Sequence, residues 1–323
     1  MTHLSRLSRR AVLTGAAALA ASSAFAAAPM LNAPAPGFYR FKLGAFEVTV
    51  LSDGPLDLGP PSDQLFGGLS KDEVAAALTR NYLPGDRIAV EQNAMVVNTG
   101  RNLVLFDTGT GLAVKIFGPD AGRLLANLQA AGIDPGAIDT IALTHAHPDH
   151  CFGLMAQNGN RNFPNAQIYM TQPDFDFFTD EAKASNDMMK MMIGGARQNL
   201  LPNRERIVFI KDGQEIVSGI QAHFTPGHTV GHTSYLISSG NQALLNIGDV
   251  CHHAVISTER ARAPFAFDTD GQQGVATRLK TFDMLAVTRT PMVAYHFPWP
   301  GIGFIAKDNG NYRYVPMALR TLL

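Results

Sequence analysis

Residues 144–150 read Thr-His-Ala-His-Pro-Asp-His and place four side chains of metal-ligand type within six positions. The apolar, β-branched run 140–143 precedes them, so a buried strand is predicted to end at this segment. Pro148 favours the first turn of a helix, which residues 151–155 would continue. Imidazole nitrogens and carboxylate oxygens are ligands that zinc and related divalent ions prefer. The segment therefore predicts a metal site where a strand passes into a helix.

The spacing within this segment indicates two metals rather than one. In an extended chain His145 and His147 point to the same side, because side chains alternate. A turn at Pro148 can then direct Asp149 and His150 to a second point nearby. A solvated polar loop is the alternative, but four ligand-type side chains directly after an apolar strand favour a metal centre.

Three later segments repeat this pattern of a ligand-type residue just past an apolar run. They place His228 after strand 220–224, Asp249 after strand 243–247 and His296 after strand 292–295. Alone, each is weak evidence, since a Gly-Asp pair is usually a turn and a histidine at a strand end is usually structural. Together with residues 144–150, and in this order, they strongly support a shared metal centre.

The composition is that of a large globular enzyme and excludes a nucleic-acid-binding surface. The chain has 323 residues, of which 46% are hydrophobic and 16% charged, with no charge run or repeat. Without residues 1–26, which hold three arginines and no acid, 23 basic residues face 27 acidic ones. The net charge is then about −4, which provides no basic footprint for nucleic acid.

The N-terminus is predicted to be a targeting segment. Arg9 and Arg10 precede an Ala-rich run, and Ala24-Phe25-Ala26 offers a cleavage site. Paired arginines indicate export by the twin-arginine route, so we expect a signal peptide over 1–26, a single domain over 27–323 and a periplasmic or secreted protein. A membrane anchor is the alternative, but the run is short and poor in Leu and Ile, so no stable anchor is expected.

The remaining pattern predicts a sandwich of two sheets with helices on the outside, an α/β (α+β) fold. A hairpin is expected over 38–53, a long loop over 55–69 and a helix over 71–79 with Ser70 and Glu73 as its capping box. Further helices are expected over 118–131, 173–179, 181–200 and 271–287. Strands are expected over 93–98, 102–107, 166–170, 206–210, 220–224, 234–239, 243–247, 292–295, 304–306 and 312–315. Cys151 and Cys251 are expected to be buried apolar filler, with a disulfide or a soft ligand as minor alternatives.

The motif H-x-H-x-D-H, followed by the histidine of T-P-G-H-T, the aspartate of a Gly-Asp pair and a late histidine, resembles the metallo-β-lactamase-fold superfamily. The turn Asp107-Thr108-Gly109 also fits. The resemblance implies an αββα sandwich with two divalent ions at one sheet edge, and zinc is the metal that it implies first. It implies that the first metal is bound by His145, His147 and His228, the second by Asp149, His150 and His296, and that Asp249 bridges both.

Segments along the whole chain resemble the methyl parathion hydrolase-like branch of that superfamily. These segments are residues 35–40 together with residues 51–54, residues 163–166, and residues 297–303. This branch implies hydrolysis of lactones, esters and phosphotriesters, and a homodimer. By family position, the substrate would lie against Phe117, Phe178 and Met188. Phe178 replaces a tryptophan and the Met188 segment a phenylalanine, which counts against efficient phosphotriester turnover.

The expected chemistry is hydrolysis of a small molecule by a hydroxide that bridges the two metals. Two ions roughly 3.5–4 Å apart lower the pKa of a shared water toward 7, and the hydroxide attacks a carbonyl carbon or a phosphorus. Asp149 and Asp249 would orient the water. His252 stands where many superfamily lactonases carry a tyrosine, and is a candidate for substrate contact or proton donation. His232 is expected to be a structural hydrogen-bond partner.

Several other functions are compatible with parts of this pattern. A β-lactamase or a glyoxalase II-like thioester hydrolase is the principal alternative, although the drug-resistance enzymes lack a bridging carboxylate such as Asp249. A flavodiiron oxidoreductase would carry an acid where His147 stands. A non-catalytic metal-binding protein is the remaining alternative, and a full set of seven ligands counts against it.

Overall fold

Apolar residues that alternate along the strands form two seven-stranded sheets that pack face to face. The computed structural model describes residues 30–31, 34–111 and 117–321; the predicted signal peptide lies outside them. The strands of each sheet are named in their spatial order, from one edge of the sheet to the other. The first sheet contains β1 (Phe38–Leu43), β2 (Phe46–Ser52), β5 (Asn93–Asn98), β6 (Leu103–Phe106), β7 (Thr140–Ala142), β8 (Gln167–Met170) and β9 (Ile207–Phe209).

The second sheet is built from the C-terminal half of the chain. Its strands are β10 (Glu215–Val217), β11 (Ile220–Phe224), β12 (Thr233–Ser239), β13 (Gln242–Gly248), β14 (Met292–Ala294), β15 (Ile302–Asp308) and β16 (Asn311–Pro316). A separate pair, β3 (Leu56–Gly59) and β4 (Ile88–Val90), forms a short ribbon.

Helices cover the outer face of each sheet. They are α1 (Lys71–Arg80), α2 (Leu124–Ala130), α3 (Pro148–Cys151), α4 (Gln172–Thr179), α5 (Asp187–Leu200), α6 (Ile256–Glu259) and α7 (Gly271–Thr288). Alternation in β5 shows how the layers separate: Ala94 and Val96 face the helical layer, while Met95 and Val97 face the second sheet. On the far side, Phe282 and Leu285 of α7 pack against the second sheet. The predicted αββα sandwich is thus confirmed.

The domain is a single unit over Pro36–Leu323. Among the helices described, none combines the length and apolar character needed to span a lipid bilayer. The capping box of α1 is present as predicted, since Ser70 accepts from the backbone of Glu73 and Glu73 accepts from the backbone of Ser70.

Several predicted boundaries are wrong for identifiable reasons. The predicted loop 55–69 contains β3, and the sequence pattern missed its partner β4 and also β10. The predicted helix 118–131 begins only at Leu124, because Gly118 and Gly122 have positive φ and the Asp53 carboxylate accepts from the Leu124 N–H. The predicted helix 181–200 is interrupted before Asn186, whose side chain caps α5.

Candidate metal centre

Seven predicted ligands meet at one edge of the sandwich, because each belongs to a loop or helix that follows a strand. His145 lies in the loop after β7, and His147 is the N-cap of α3. Asp149 and His150 lie within α3 itself. His228 follows β11, Asp249 is the first residue after β13, and His296 is the second after β14. All seven side chains are buried.

The donor atoms fall into the groups that the resemblance implied. One group is His145, His147 and His228, and another is Asp149, His150 and His296, with the atoms of each within 4.8 Å of one another. Asp249 also groups with one histidine from each set, His145 and His150. Its Oδ2 lies 3.4 Å from Nε2 of both His150 and His228, and 3.1 Å from Nε2 of His296. The structure thus places Asp249 between the two sets.

The cluster contains buried donor atoms that lack a protein partner and that a cation would satisfy. Nε2 of His145, His150 and His228, together with Oδ1 of Asp249, find no hydrogen-bond partner among the described residues. A buried polar atom without a partner costs about 1–3 kcal/mol. Burial lowers the pKa of His296, but Asp249 and Asp149 outweigh it and raise the pKa to about 10, so the cluster attracts positive charge. The residues present therefore fit two divalent ions.

The protonation states of three ligands also suit metal binding. Burial and neighbouring imidazoles hold the pKa of His145 and His147 well below the ordinary value, so both rings are neutral at pH 7. Burial alone would raise the pKa of Asp249, but surrounding imidazoles, His296 first, keep it well below its usual range. Neutral histidines and ionised carboxylates are the forms that bind metals. At the other three histidines the neighbouring carboxylates outweigh burial and raise the pKa of His150, His228 and His296, whose protons a bound cation would displace.

Four histidines are oriented by a hydrogen bond at the ring nitrogen that faces away from the centre. Nδ1 of His150 contacts Asp107 at 2.9 Å, Nδ1 of His228 contacts Asp268 at 2.9 Å, and Nδ1 of His296 donates to the Glu91 carbonyl at 2.8 Å. Nδ1 of His145 lies 2.9 Å from the hydroxyl of Thr144. A proton on Nδ1 leaves the Nε2 lone pair directed into the site.

Buried polar residues hold the loops that carry the ligands. Asp174 accepts from the backbone N–H of Ala146 at 2.9 Å and of Gly231 at 2.8 Å, and so joins two histidine-bearing loops. His232 is the structural partner that was predicted, because its Nε2 accepts from the Asp249 N–H at 2.9 Å. Burial lowers the pKa of His232 to about 3, which keeps the ring neutral and able to accept.

Several buried polar residues around the ligands do not stand out in the sequence pattern. Asp174, Tyr295, Asp268 and Arg278 were not recognised, and Asp107 was noted only as part of a turn. The Tyr295 hydroxyl donates to the Asp149 carbonyl at 2.6 Å, beside the ring of His150. No local pattern marks these residues, since their partners are distant in sequence. The two cysteines are buried and free, as expected.

An apolar cavity of about 80 Å³ lies over the donor cluster. Phe117 and His252 line it, as do Leu56, Leu58, Val90, Phe265 and Phe267. A second cavity of about 390 Å³ adjoins the first through His147, Met192 and Phe267, and is lined by Phe177, Phe178, Met188 and Met189. The predicted substrate residues thus all border these cavities, although Phe178 is also fully packed in the core and Met188 lies at an exposed rim.

Among the described residues, His252 is the one histidine outside the seven that lines the cavity over the donor cluster. Its ring stacks on Phe265 with centroids 3.8 Å apart, and its Nε2 lies 3.5 Å from Oδ2 of Asp249. Both of its ring nitrogens are buried without a partner among the described residues. Burial, with His228 nearby, lowers its pKa to about 4, so the ring is neutral at pH 7.

Comparison with known proteins agrees with this geometry. Residues 87–283 match the family model of the metallo-beta-lactamase superfamily. Among solved structures, "AidC, a Dizinc Quorum-Quenching Lactonase" is 30% identical, with a TM-score of 0.83 over 88% of this chain and 99% of that one. The "hydrolase AbOPH in beta lactamase superfamily" is also 30% identical, with a TM-score of 0.81 over 89% of this chain and 100% of that one.

Curated relatives match over shorter stretches. An N-acyl homoserine lactonase from Bacillus sp is 31% identical over 117 residues, which are 36% of this chain and 40% of the relative. The lactamase-like protein adaB of Aspergillus niger is 28% identical over 53% of this chain and 42% of its own length. The chain thus spans less than half the length of these relatives. With the family model, the αββα sandwich and the donor cluster in agreement, the chain belongs to the metallo-beta-lactamase superfamily.

Proposed function

We propose that the protein is a dinuclear metal-dependent hydrolase of lactones that carry an apolar acyl chain, with N-acyl homoserine lactones as the first class. The position of Asp249 between two histidine sets, below an apolar cavity, carries this proposal. The named activity of similar proteins, a dizinc lactonase and an N-acyl homoserine lactonase, supports it. A periplasmic or secreted location, suggested by the N-terminal pattern, is part of the same proposal.

In this proposal, the residues of the centre bind the ions and direct the attacking water. Bound divalent ions supply a Lewis acid for the carbonyl oxygen and make a water acidic near neutral pH. Asp149 and Asp249 are ionised, so they accept hydrogen bonds from that water and orient it toward the carbonyl carbon. Attack would form a bond between the water oxygen and the carbonyl carbon and break the ring C–O bond. A proton of the water passes to the released ring oxygen, so the product is a single hydroxy acid.

His252 is assigned to the substrate rather than to a metal. Its neutral ring offers one N–H donor in a mostly apolar cavity and is held flat against Phe265. A neutral imidazole is a poor source of a proton at pH 7 but a good hydrogen-bond donor. We therefore assign it the binding of a substrate oxygen, and the acyl chain to the cavity beyond Met192 and Phe267.

Phosphotriesters and aryl esters form the second candidate class. Phe117 and Phe178 both border the cavities, which would suit an aromatic leaving group. The small volume over the donors, about 80 Å³, favours a compact lactone ring instead.

The test combines metal content with hydrolysis by the zinc-loaded protein. The substrates are N-hexanoyl and N-decanoyl homoserine lactone, phenyl acetate and methyl paraoxon, and the variants are Asp249→Asn and the control Asp139→Asn. Asp139 accepts from the Leu103 backbone N–H directly before β7, at the end of that strand opposite to the one that leads to His145. We expect about two zinc ions per chain, lactone hydrolysis in the control and its loss in Asp249→Asn.

Two outcomes would overturn parts of the proposal. Fewer than one zinc ion per chain, or full activity in Asp249→Asn, would exclude the dinuclear centre. Two zinc ions with faster turnover of methyl paraoxon than of either lactone would reassign the substrate to the second class.

A further inference from the structure

Arg278 of α7 is a buried cation that is held mainly by backbone carbonyls, with one carboxylate at long ion-pair distance. It is only 2% exposed and is among the largest fully buried side chains of the described residues. Its guanidinium donates to three carbonyls: Nε to Val250 at 2.9 Å, and Nη1 to Ala261 at 3.1 Å and Ala263 at 2.7 Å. The carboxylate of Asp268 is 3.9 Å from Nη2. Burying a charge is unfavourable unless nearby groups compensate it, so the hydrogen bonds made by this guanidinium indicate what the charge does at this position.

The three carbonyls belong to the two segments that flank the metal centre. Val250 directly follows Asp249, the residue between the two donor sets. Ala261 and Ala263 open the segment that continues to Asp268. The Arg278 side chain therefore joins the backbone after Asp249 to the backbone of residues 261–263 by hydrogen bonds.

The segment of residues 261–268 contacts the metal centre through Asp268 and borders its cavity through Phe265. Oδ1 of Asp268 contacts Nδ1 of His228 at 2.9 Å, and Oδ2 of Asp268 accepts from the Phe265 N–H at 2.9 Å. Phe265 in turn stacks on His252. A shift of residues 261–268 would thus move the partner of His228 and the cavity wall together, whereas a shift at Val250 would move Asp249.

We propose that Arg278 is a positioning residue for the metal centre, which sets the Asp249 carboxylate against His228 by holding the backbone on both sides. This inference rests on the proposed metal-dependent function. If Arg278 has this role, its replacement should weaken zinc binding by more than the accompanying loss of stability of the metal-free protein explains. Residues that orient metal ligands typically change affinity by about 10–100-fold when altered.

The test compares Arg278→Met and Arg278→Lys with Phe282→Leu. Phe282 lies one turn further along α7 and packs on Tyr312 without a polar contact to the metal centre, so it reports the cost of damage to the same helix. Zinc affinity is measured by competition with a chromophoric chelator, and stability by urea unfolding of the metal-free proteins. The d–d absorption of the cobalt-loaded proteins reports ligand geometry without reference to activity.

We expect Arg278→Met to weaken zinc binding by about tenfold or more and to change the cobalt spectrum. Phe282→Leu should retain both, even where its loss of metal-free stability is equal. Arg278→Lys keeps a donor for some carbonyls and should restore part of the affinity; it also decides the matter if Arg278→Met fails to fold. Unchanged affinity in Arg278→Lys and Arg278→Met, or an equal loss in Phe282→Leu, would overturn the positioning role. Failure of the unaltered protein to bind zinc would instead overturn the proposed function, and this inference with it.

Discussion

Asp107 contacts Nδ1 of His150 at 2.9 Å while its own backbone lies in the left-handed region, at a φ of 59°. The same carboxylate accepts from the backbone and the hydroxyl of Thr144, the residue before His145. The turn after β6 thus fixes both the ring of His150 and the start of the histidine-rich loop. Aspartate tolerates this backbone conformation better than most residues, and it can accept all three hydrogen bonds.

Replacing Asp107 with Asn should weaken metal binding while preserving the fold. Asn also tolerates positive φ, but its NH2 group facing Nδ1 would favour the tautomer with a proton on Nε2, which faces the metals. We expect zinc affinity to fall by about 10–100-fold in a chelator competition. Asp139→Asn is the control, since Asp139 accepts from the Leu103 N–H far from the centre. Equal affinity in the two variants would contradict the orienting role.

Removing the metals should lower the thermal stability of the protein. Ions that bind only the folded state stabilise it by about 2.7 kcal/mol when present at 100 times their Kd. For a chain of this size we expect chelation to lower the melting temperature by about 5 °C or more in circular dichroism. Zinc should reverse the change, whereas calcium, which prefers oxygen ligands, should not. A melting temperature indifferent to chelator would argue against occupied sites.

The stability of the metal-free protein should depend on the protonation of Asp53. Burial raises the pKa of this carboxyl to about 6, although Thr110 and Leu124 donate backbone N–H groups to it. The folded protein therefore holds this proton more tightly than the unfolded chain, whose pKa is near 3.8. The contribution is fully present below pH 4 and is lost as the pH rises through 6, by up to about 3 kcal/mol.

Urea unfolding between pH 4 and pH 7.5 isolates this effect when Asp53→Asn is measured beside the unaltered protein. Asn does not titrate. The free energy of unfolding of the unaltered protein minus that of Asp53→Asn should therefore fall as the pH rises. A difference that rises with pH would show that the backbone hydrogen bonds outweigh burial.

Met192 should control the length of acyl chain that the protein accepts. With Phe267 it lies where the cavity over the donors meets the larger one. Met192→Trp should narrow the passage and lower kcat/KM for N-decanoyl homoserine lactone by about tenfold or more, with little effect on the N-butanoyl compound. Met191→Trp is the control on the same helix, because Met191 packs on the core and borders neither cavity. Equal losses for both substrates would place the acyl chain elsewhere.

Local sequence was sufficient for much of the fold and for the candidate donors. The hairpin of β1 and β2 and the capping box of α1 follow from alternation and from residues three apart, which interact within one element. The late start of α2 did not follow from the sequence pattern, because Asp53 is bonded to the Leu124 N–H from 71 residues away. Strands of three residues, such as β4 and β10, are too short to show alternation.

The sequence by itself determined which residues can bind metals and that each follows a strand, because ligand type and apolar runs are local properties. Only the tertiary structure decided how they are arranged. Asp268 and Arg278 act across gaps of 40 and 28 residues, and Asp174 joins loops that are 28 and 57 residues from it. Such polar contacts are specified by which loops pack against each other, and that packing follows from burying both sheets in one sandwich.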